Sequence, residues 1–190
     1  MDPEDVNGAA SSIAAITALV ESSSPACGRV TVVAVDGPSG SGKSTIAAAL
    51  GAHLHAPVVH VDDIYPGWDG LAEAVFLVTS QVLEPLARGE HAAYRRWDWM
   101  RTRWGAAVPV PPTDLLVLEG VGSSVRPAGD LAAVRVWVEA DRDIRFARGM
   151  ARDGETYRPH WERWARQEAD LFAADGTRDR AHLVIDTTPA

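Results

Sequence analysis

Residues 30–45 read VTVVAVDGPSGSGKST, and this stretch decides the fold. The apolar run Val30–Val35 leads into the pattern G-x-x-x-x-G-K-[ST], and the apolar residues 46–50, IAAAL, follow it. Strand, glycine-rich loop and helix therefore follow one another in the order that a phosphate-binding loop needs. A Gly/Ser turn that matches the pattern by chance is the alternative, and the flanking strand and helix argue against it.

The loop supplies three kinds of group to a nucleoside triphosphate. Its glycines let successive backbone N–H groups point inward, Lys43 adds a cation for the β and γ phosphates, and Ser44 offers a hydroxyl to Mg²⁺. We therefore predict that the loop binds ATP with Mg²⁺. The predicted nucleotide-binding residues are Gly37, Ser39, Gly40, Ser41, Gly42, Lys43, Ser44 and Thr45.

Four further apolar runs follow along the chain, at residues 57–61, 115–118, 134–138 and 182–185. They alternate with stretches of helical spacing, which predicts an α/β fold of three layers with a five-stranded, mostly parallel sheet. Residues 1–28 are predicted to form a short amphipathic helix and a Ser-rich linker, and residues 29–190 a single globular domain. Ligands of such sheets bind beyond the carboxyl ends of the strands, so the residues after each run are candidates for chemistry.

Composition excludes several classes of protein. The net charge of −8 over 190 residues argues against a broad nucleic-acid-binding surface. The single cysteine, Cys27, excludes an intrachain disulfide and a cysteine-based metal site. The apolar stretch at residues 13–20 is too short and interrupted for a signal peptide or a membrane span. We expect a cytoplasmic protein without nucleic-acid or membrane partners.

Carboxylates follow the second and third apolar runs. Asp62 and Asp63 come after the run at 57–61, and Glu119 ends the run at 115–118. A carboxylate can accept the proton of an acceptor hydroxyl in phosphoryl transfer, and we predict this catalytic role for Asp62. Capping of the following turn is the alternative, and it is favoured for Asp63. Glu119 is predicted to hold Mg²⁺ together with Ser44; a solvated loop glutamate is the alternative.

Arg145, Arg148 and Arg152 lie at i, i+3 and i+7 and share one face of a predicted helix. A solvated face with Arg–Asp pairs has the same spacing. We favour a lid helix whose guanidinium groups cover the transferring phosphates, with Arg148 in a catalytic role and Arg145 and Arg152 on the nucleotide.

Seven tryptophans are many for this length, and residues 94–99, YRRWDW, place Asp98 between two of them. A carboxylate that accepts sugar hydroxyl hydrogens beside a stacking ring suits a ribose pocket, so we predict that Trp97 and Asp98 contact substrate. The alternative is that these large amphipathic side chains bury surface.

Over about residues 30–186 these motifs resemble the uridine kinase and phosphoribulokinase family of P-loop small-molecule kinases. Residues 62–65, DDIY, match its Asp-x-x-Tyr signature, and residues 97–99 are similar to its Tyr-Asp-Phe element. Glu119 and Gly120 match its strand ending in Glu-Gly, and residues 145–153 match its lid pattern Arg-x-x-Arg-x-x-x-Arg-Asp.

The resemblance implies a P-loop NTPase fold with an Arg-rich lid helix and a kinase that uses ATP and Mg²⁺. It further implies that Asp62 is the catalytic base and that Tyr65 belongs to the substrate site. The acceptor would be the 5′ hydroxyl of a pyrimidine nucleoside. Members of the family often associate, so a homo-oligomer fits the resemblance.

Three alternatives stay open at the level of sequence. The acceptor could be another metabolite, such as pantothenate or a sugar. A nucleoside monophosphate kinase is suggested by the basic residues Arg95, Arg96, Arg101 and Arg103. A regulatory ATP-binding protein without a small-molecule acceptor is the alternative of a different class.

Overall fold

The computed structural model describes residues 3–189, with side chains from residue 10 onward. Residues 1, 2 and 190, which the predicted segments include, lie outside the described residues. The helices are α1 (Pro3–Ser22), α2 (Lys43–Leu54), α3 (Leu71–Val78), α4 (Glu84–Ala87), α5 (Arg142–Asp153) and α6 (Arg158–Asp175). The strands are β1 (Thr31–Asp36), β2 (Val58–His60), β3 (Ala93–Asp98), β4 (Arg103–Pro109), β5 (Leu115–Glu119), β6 (Val134–Glu139) and β7 (Leu183–Asp186). A π-helical segment, Thr79–Leu83, joins α3 to α4.

Five strands form one parallel sheet in the order β2-β5-β1-β6-β7. Each of the five predicted apolar runs contributes one of these strands, so the predicted α/β fold is confirmed. The register pairs Val35 with Glu119, Asp36 with Trp137 and His60 with Glu119. The carboxyl ends of β1, β2 and β5 therefore meet at one edge of the sheet, where the glycine-rich loop begins.

Side chains of β1 alternate between two hydrophobic cores, one on each face of the sheet. Val33 and Val35 pack with residues of α1 and α2, whereas Val32 and Ala34 pack with residues of α3 and α6. The fully buried residues that helices contribute include Ile16, Leu50, Leu71 and Ala74. The sheet is thus the middle layer of three.

Helix α1 is longer than the short helix that the sequence predicts, since it spans 20 residues. Its alanines favour helix, and it ends at Ser22 before the Ser-rich segment and Pro25. None of the helices among the described residues is long and apolar enough to cross a membrane.

Strands β3 and β4 form a separate antiparallel hairpin that the sequence analysis did not predict. The hairpin lacks a two-residue Asn-Gly type of turn, and its register shifts between Arg95 and Trp97. Arg96 joins it to Asp63 through an ion pair of 2.8 Å. The hairpin tip therefore lies beside the segment that follows β2.

Candidate active site

The glycine-rich loop forms a cradle between the end of β1 at Asp36 and the start of α2 at Lys43. Gly37 and Gly40 have φ values of 136° and 79°, which favour glycine. A Cβ at Gly37 would collide with the carbonyl oxygen of Val138, and one at Gly40 with that of Arg145. The two glycines thus let β6 and α5 pack directly against the cradle.

A buried carboxylate holds the cradle from behind. Asp36 is fully buried and accepts hydrogen bonds from the backbone N–H groups of Gly37 (2.7 Å), Gly122 (2.9 Å) and Ser124 (2.8 Å), and from the Ser124 hydroxyl (2.9 Å). Burial raises the pKa of Asp36 to about 6, although the four hydrogen bonds act in the opposite direction. Asp36 therefore fastens the cradle to the loop that follows β5.

Glu168 of α6 also holds the cradle. Its carboxylate is buried and accepts the backbone N–H of Ser39 at 2.8 Å. Trp164, one turn earlier on α6, donates its indole N–H to the Ser39 hydroxyl at 3.0 Å. Burial raises the pKa of Glu168, and its hydrogen bonds to Ser39 lower it in part. Helix α6 is thus fixed against the middle of the cradle.

Two of the predicted lid arginines bind cradle carbonyl groups. Arg145 donates to the Ser39 carbonyl at 3.3 Å, and Arg148 makes a long contact of 3.5 Å to that of Gly40. Arg148 also donates to the hydroxyl and the carbonyl of Thr187, both at 2.8 Å. The guanidinium groups of Arg145 and Arg148 therefore help to hold the backbone of the cradle in place.

A candidate magnesium site lies where the cradle meets β5. The Ser44 hydroxyl donates to Oε1 of Glu119 at 3.1 Å, and Nδ1 of His60 lies 2.6 Å from Oε2 of the same carboxylate. Lys43 lies nearby, with its ammonium group 3.0 Å from the carbonyl oxygen of Pro38.

The electrostatic environment favours the ionised form of Glu119. Burial raises its pKa, but the hydrogen bond from His60, the charge of Lys43 and the Ser44 hydroxyl together leave the pKa below its usual value. The hydrogen bond to Glu119 in turn raises the pKa of His60. Among the described residues no group of three or more His, Cys, Asp or Glu side chains could hold a metal alone. One hydroxyl and one carboxylate fit Mg²⁺ that takes its other ligands from phosphates and water.

Asp62 lies in the 3₁₀ turn Val61–Asp63 directly after β2. Its side chain is exposed to solvent on one side, and protein surrounds it on the other sides. This surrounding and the charge of Glu119 raise the pKa of Asp62, whereas the charges of Lys43 and Arg152 lower it in part.

Two cavities meet at Asp62. One, of about 280 Å³, lies over the cradle, and the other, of about 380 Å³, lies on the far side of Asp62. The first is lined by Ser39, Gly40, Gly42, Lys43, Ser44, Thr45, Asp62, Glu119, Val121, Arg148, Gly149 and Arg152. The second, which we call the aromatic cavity, is lined by Ser39, Asp62, Tyr65, Trp68, Trp99, Arg152, Asp153, Thr156, Tyr157 and Trp164. Ser39, Asp62 and Arg152 line both, so the two cavities are neighbours at Asp62.

Four rings of the aromatic cavity form what we call the aromatic wall, and Trp68 lies at its centre; the others are Trp99, Tyr157 and Trp164. The ring centroid of Trp68 lies 5.0 Å from that of Trp99, 5.7 Å from that of Tyr157 and 5.9 Å from that of Trp164. His160 stacks on Trp68 at 4.3 Å with an interplanar angle of 10°. These contacts fix the orientation of the wall.

The structure separates the predicted substrate residues. Tyr65 and Asp62 line the aromatic cavity, whereas Trp97 and Asp98 line neither cavity. Asp98 accepts a hydrogen bond of 2.9 Å from Arg101 within the hairpin. Trp97 packs on Trp104 of the adjacent strand, with centroids 5.1 Å apart. The hairpin reaches the cavity through Trp99 instead.

Several site residues escaped the sequence analysis. Trp68 is one of seven tryptophans without a motif of its own, Trp99 is only the last residue of the element at 97–99, and neither Glu168 nor Thr187 belongs to a motif. Trp164 carries a usable signal in sequence, because it follows Trp161 at i+3, a spacing that predicts packing of both on one helix face. Both are buried in α6.

Comparison with solved structures finds the same fold in other proteins. A possible uridine kinase from Bacillus stearothermophilus is similar with a TM-score of 0.59 and 21% identity, over 83% of this chain and 89% of that one. A candidate fructose transport system kinase from a Silicibacter species is similar with a TM-score of 0.55 and 22% identity, over 96% of this chain and 98% of that one. No family model matches the chain, and no curated protein matches it in sequence. The resemblance drawn from the motifs is therefore confirmed as a likeness of fold.

Proposed function

We propose that the protein is an ATP- and Mg²⁺-dependent kinase that phosphorylates a hydroxyl group of an uncharged small molecule. The observation that carries the proposal is the position of Asp62, whose carboxylate lies where the cradle and the aromatic cavity meet. A phosphoryl donor on one side and an acceptor hydroxyl on the other would both reach it.

With Mg²⁺ and ATP bound, groups of this chain would serve each step of the transfer. The loop amides and Lys43 would hold the phosphates, and Ser44 and Glu119 would hold Mg²⁺, which neutralises phosphate charge. Asp62 would accept the proton of the acceptor hydroxyl while the hydroxyl oxygen bonds to the γ phosphorus. The bond from that phosphorus to the β–γ bridging oxygen breaks, and ADP leaves. Arg152, which lines both cavities, would stabilise the charge on the transferring group.

Charge in the aromatic cavity favours an acceptor without a phosphate. Among the described residues that line this cavity, the single arginine is Arg152. It is paired with Asp153 at 2.7 Å. Arg95 and Arg96 bind the hairpin and Asp63 instead, so they do not support a monophosphate acceptor. A pyrimidine nucleoside, the acceptor that the resemblance implies, offers a flat base for aromatic walls. Sugars and pantothenate lack such a ring and are weaker candidates.

The test is ADP release from Mg-ATP with a panel of uridine, cytidine, their monophosphates, pantothenate and sugars. Replacement of Asp62 by Asn should lower acceptor-dependent kcat by about 10²–10⁴-fold, because the hydroxyl loses its proton acceptor. ATP affinity should stay within a few fold. Asp63→Asn is the matched control, since this neighbour binds Arg96 of the hairpin and lines neither cavity. ATP binding without stimulation by any acceptor would instead favour a regulatory ATP-binding protein.

A further inference from the structure

We infer that the acceptor is recognised by stacking of a flat, uncharged ring on the aromatic wall, and that hydrogen bonds to the edge of that ring contribute little. The chemical class is therefore a hydroxyl group carried by a flat ring body, in preference to a polyol. That the bound molecule is then phosphorylated rests on the proposed function, but its binding to the aromatic wall can be measured separately.

Most of the side-chain donors that line the aromatic cavity are already used inside the protein. Four lining residues direct an N–H or O–H group to a protein acceptor. The bonds run from Tyr65 to the Val121 carbonyl (2.8 Å), from Trp99 to the Asp62 carbonyl (3.3 Å), from Thr156 to the Asp153 carbonyl (2.8 Å) and from Trp164 to the Ser39 hydroxyl (3.0 Å). A ring carbonyl or ring nitrogen of an acceptor would therefore find mainly ring faces on this wall.

The charged groups of the cavity lie at its junction with the cradle. Asp62 and Arg152 line both cavities, and Asp153 is occupied by Arg152 through bonds of 2.9 and 2.7 Å. Asp62 and Arg152 can therefore meet the reacting hydroxyl and the phosphates. The body of the acceptor is left to Trp68, Trp99 and Tyr157.

Trp99 connects the aromatic wall to the 3₁₀ turn that carries Asp62. It follows β3 at the hairpin tip, its side chain is partly exposed, and its indole N–H is bound to the backbone of Asp62. A ring stacked on Trp99 is therefore held at a set position relative to the Asp62 carboxylate. A polyol without a flat face would gain little from this surface, because stacking depends on two ring faces in contact.

The first experiment measures binding without ATP, by calorimetry and by quenching of tryptophan fluorescence. The three probes are uridine, a phenyl riboside in which benzene replaces the base, and ribose. We expect the affinities of uridine and the phenyl riboside to agree within about 10-fold, and ribose to bind about 100-fold more weakly or worse. Failure of the phenyl riboside where uridine binds, ribose binding equal to uridine, or no binding by any probe would overturn the inference.

The second experiment uses variants of the hairpin tip. Trp99→Ala should weaken uridine binding about 10-fold or more, and Trp99→Phe should restore most of it because a ring face returns. Met100→Ala is the matched control, because Met100 is the next residue and is 97% exposed. Equal affinities for Trp99→Ala and Met100→Ala, in proteins with unchanged thermal unfolding, would contradict the role of Trp99.

ADP release with the same probes separates the two proposals. Binding of both ring compounds without ADP formation would refute the proposed kinase activity and support the inference about recognition. Turnover with ribose or other polyols but with neither ring compound would support the kinase and overturn the inference.

Discussion

At the scale of single residues, two neighbouring carboxylates have opposite pKa shifts. Glu119 receives a hydrogen bond from His60 and the charge of Lys43, which outweigh its burial and lower its pKa. Asp62 is exposed on one side only, and the protein around its other sides, together with the negative charge of Glu119, raises its pKa. Such separation suits an ionised metal ligand next to a proton acceptor.

The raised pKa of Asp62 predicts the acid side of the pH–rate profile. Protonated Asp62 cannot accept the hydroxyl proton, so activity is present above its pKa and lost as the pH falls through it. The midpoint of the acid limb in kcat/KM for the acceptor should therefore lie above 3.8, the ordinary value for aspartate. Initial rates at fixed Mg-ATP across the pH range give the profile, with circular dichroism as the control for folding. Full activity retained at about pH 4 would contradict the prediction.

Sequence predicted the residues whose chemistry is local to a motif. Lys43 and Ser44 stand in the cradle pattern, and Asp62 and Glu119 stand where apolar runs end, so residue type and position together suggested their roles. Glu168 could not be found in this way, because it acts on the Ser39 backbone from 129 positions away. Only packing of α6 brings that carboxylate to the loop.

At the scale of elements, α5 divides its arginines between two tasks. The spacing of Arg145, Arg148 and Arg152 predicts that they share one face of the helix, and they do so in the structure. Their contacts, however, differ. Arg148 is held by Thr187 and lines only the cavity over the cradle, whereas Arg152 binds its neighbour Asp153 and lines both cavities. The predicted catalytic role of Arg148 therefore shifts, in our proposal, to Arg152.

Replacement of Arg152 and of Arg148 should have different effects on activity and on stability. Arg152→Ala should lower kcat by about 10²-fold or more, with little change in Tm, because its side chain is 55% exposed and its partner is adjacent in sequence. Arg148→Ala should lower Tm by about 2–5 °C, because hydrogen bonds that tie α5 to Thr187 are lost. Steady-state kinetics and thermal unfolding of both variants provide the measurement. A kinetic loss confined to Arg148→Ala would restore the original assignment.

The hairpin shows why the substrate residues could not be assigned from sequence. Trp97 and Trp99 are two positions apart and would share a face if the strand continued. Strand β3 ends at Asp98, however, so Trp97 packs within the hairpin while Trp99 lies in the turn and reaches Asp62. Asp98 binds Arg101 three residues later, a local contact that the pattern of rings and carboxylate did not reveal.

At the scale of the whole molecule, α1 completes one face of the sheet. Ile16 is fully buried and belongs to the same core as Val33, Val35 and Leu50. The position of β1, the strand that leads into the glycine-rich loop, therefore depends in part on a helix that precedes it in sequence. We propose that α1 and residues 29–190 unfold as one cooperative unit.

This proposal predicts a large effect of a substitution far from the site. Ile16→Ala should lower the free energy of unfolding by about 2–5 kcal/mol, because it leaves a cavity against β1 and α2. For a chain of this size Tm should fall by roughly 5–15 °C. Ala18→Ser, at an exposed position of the same helix, is the control and should change stability by less than about 0.5 kcal/mol. Urea unfolding followed by tryptophan fluorescence and circular dichroism should give coincident single transitions for all three proteins. Because Ile16 contacts the β1 core, a wild-type-like Tm in Ile16→Ala, or two separated transitions, would show that the helix is dispensable to the nucleotide-binding core.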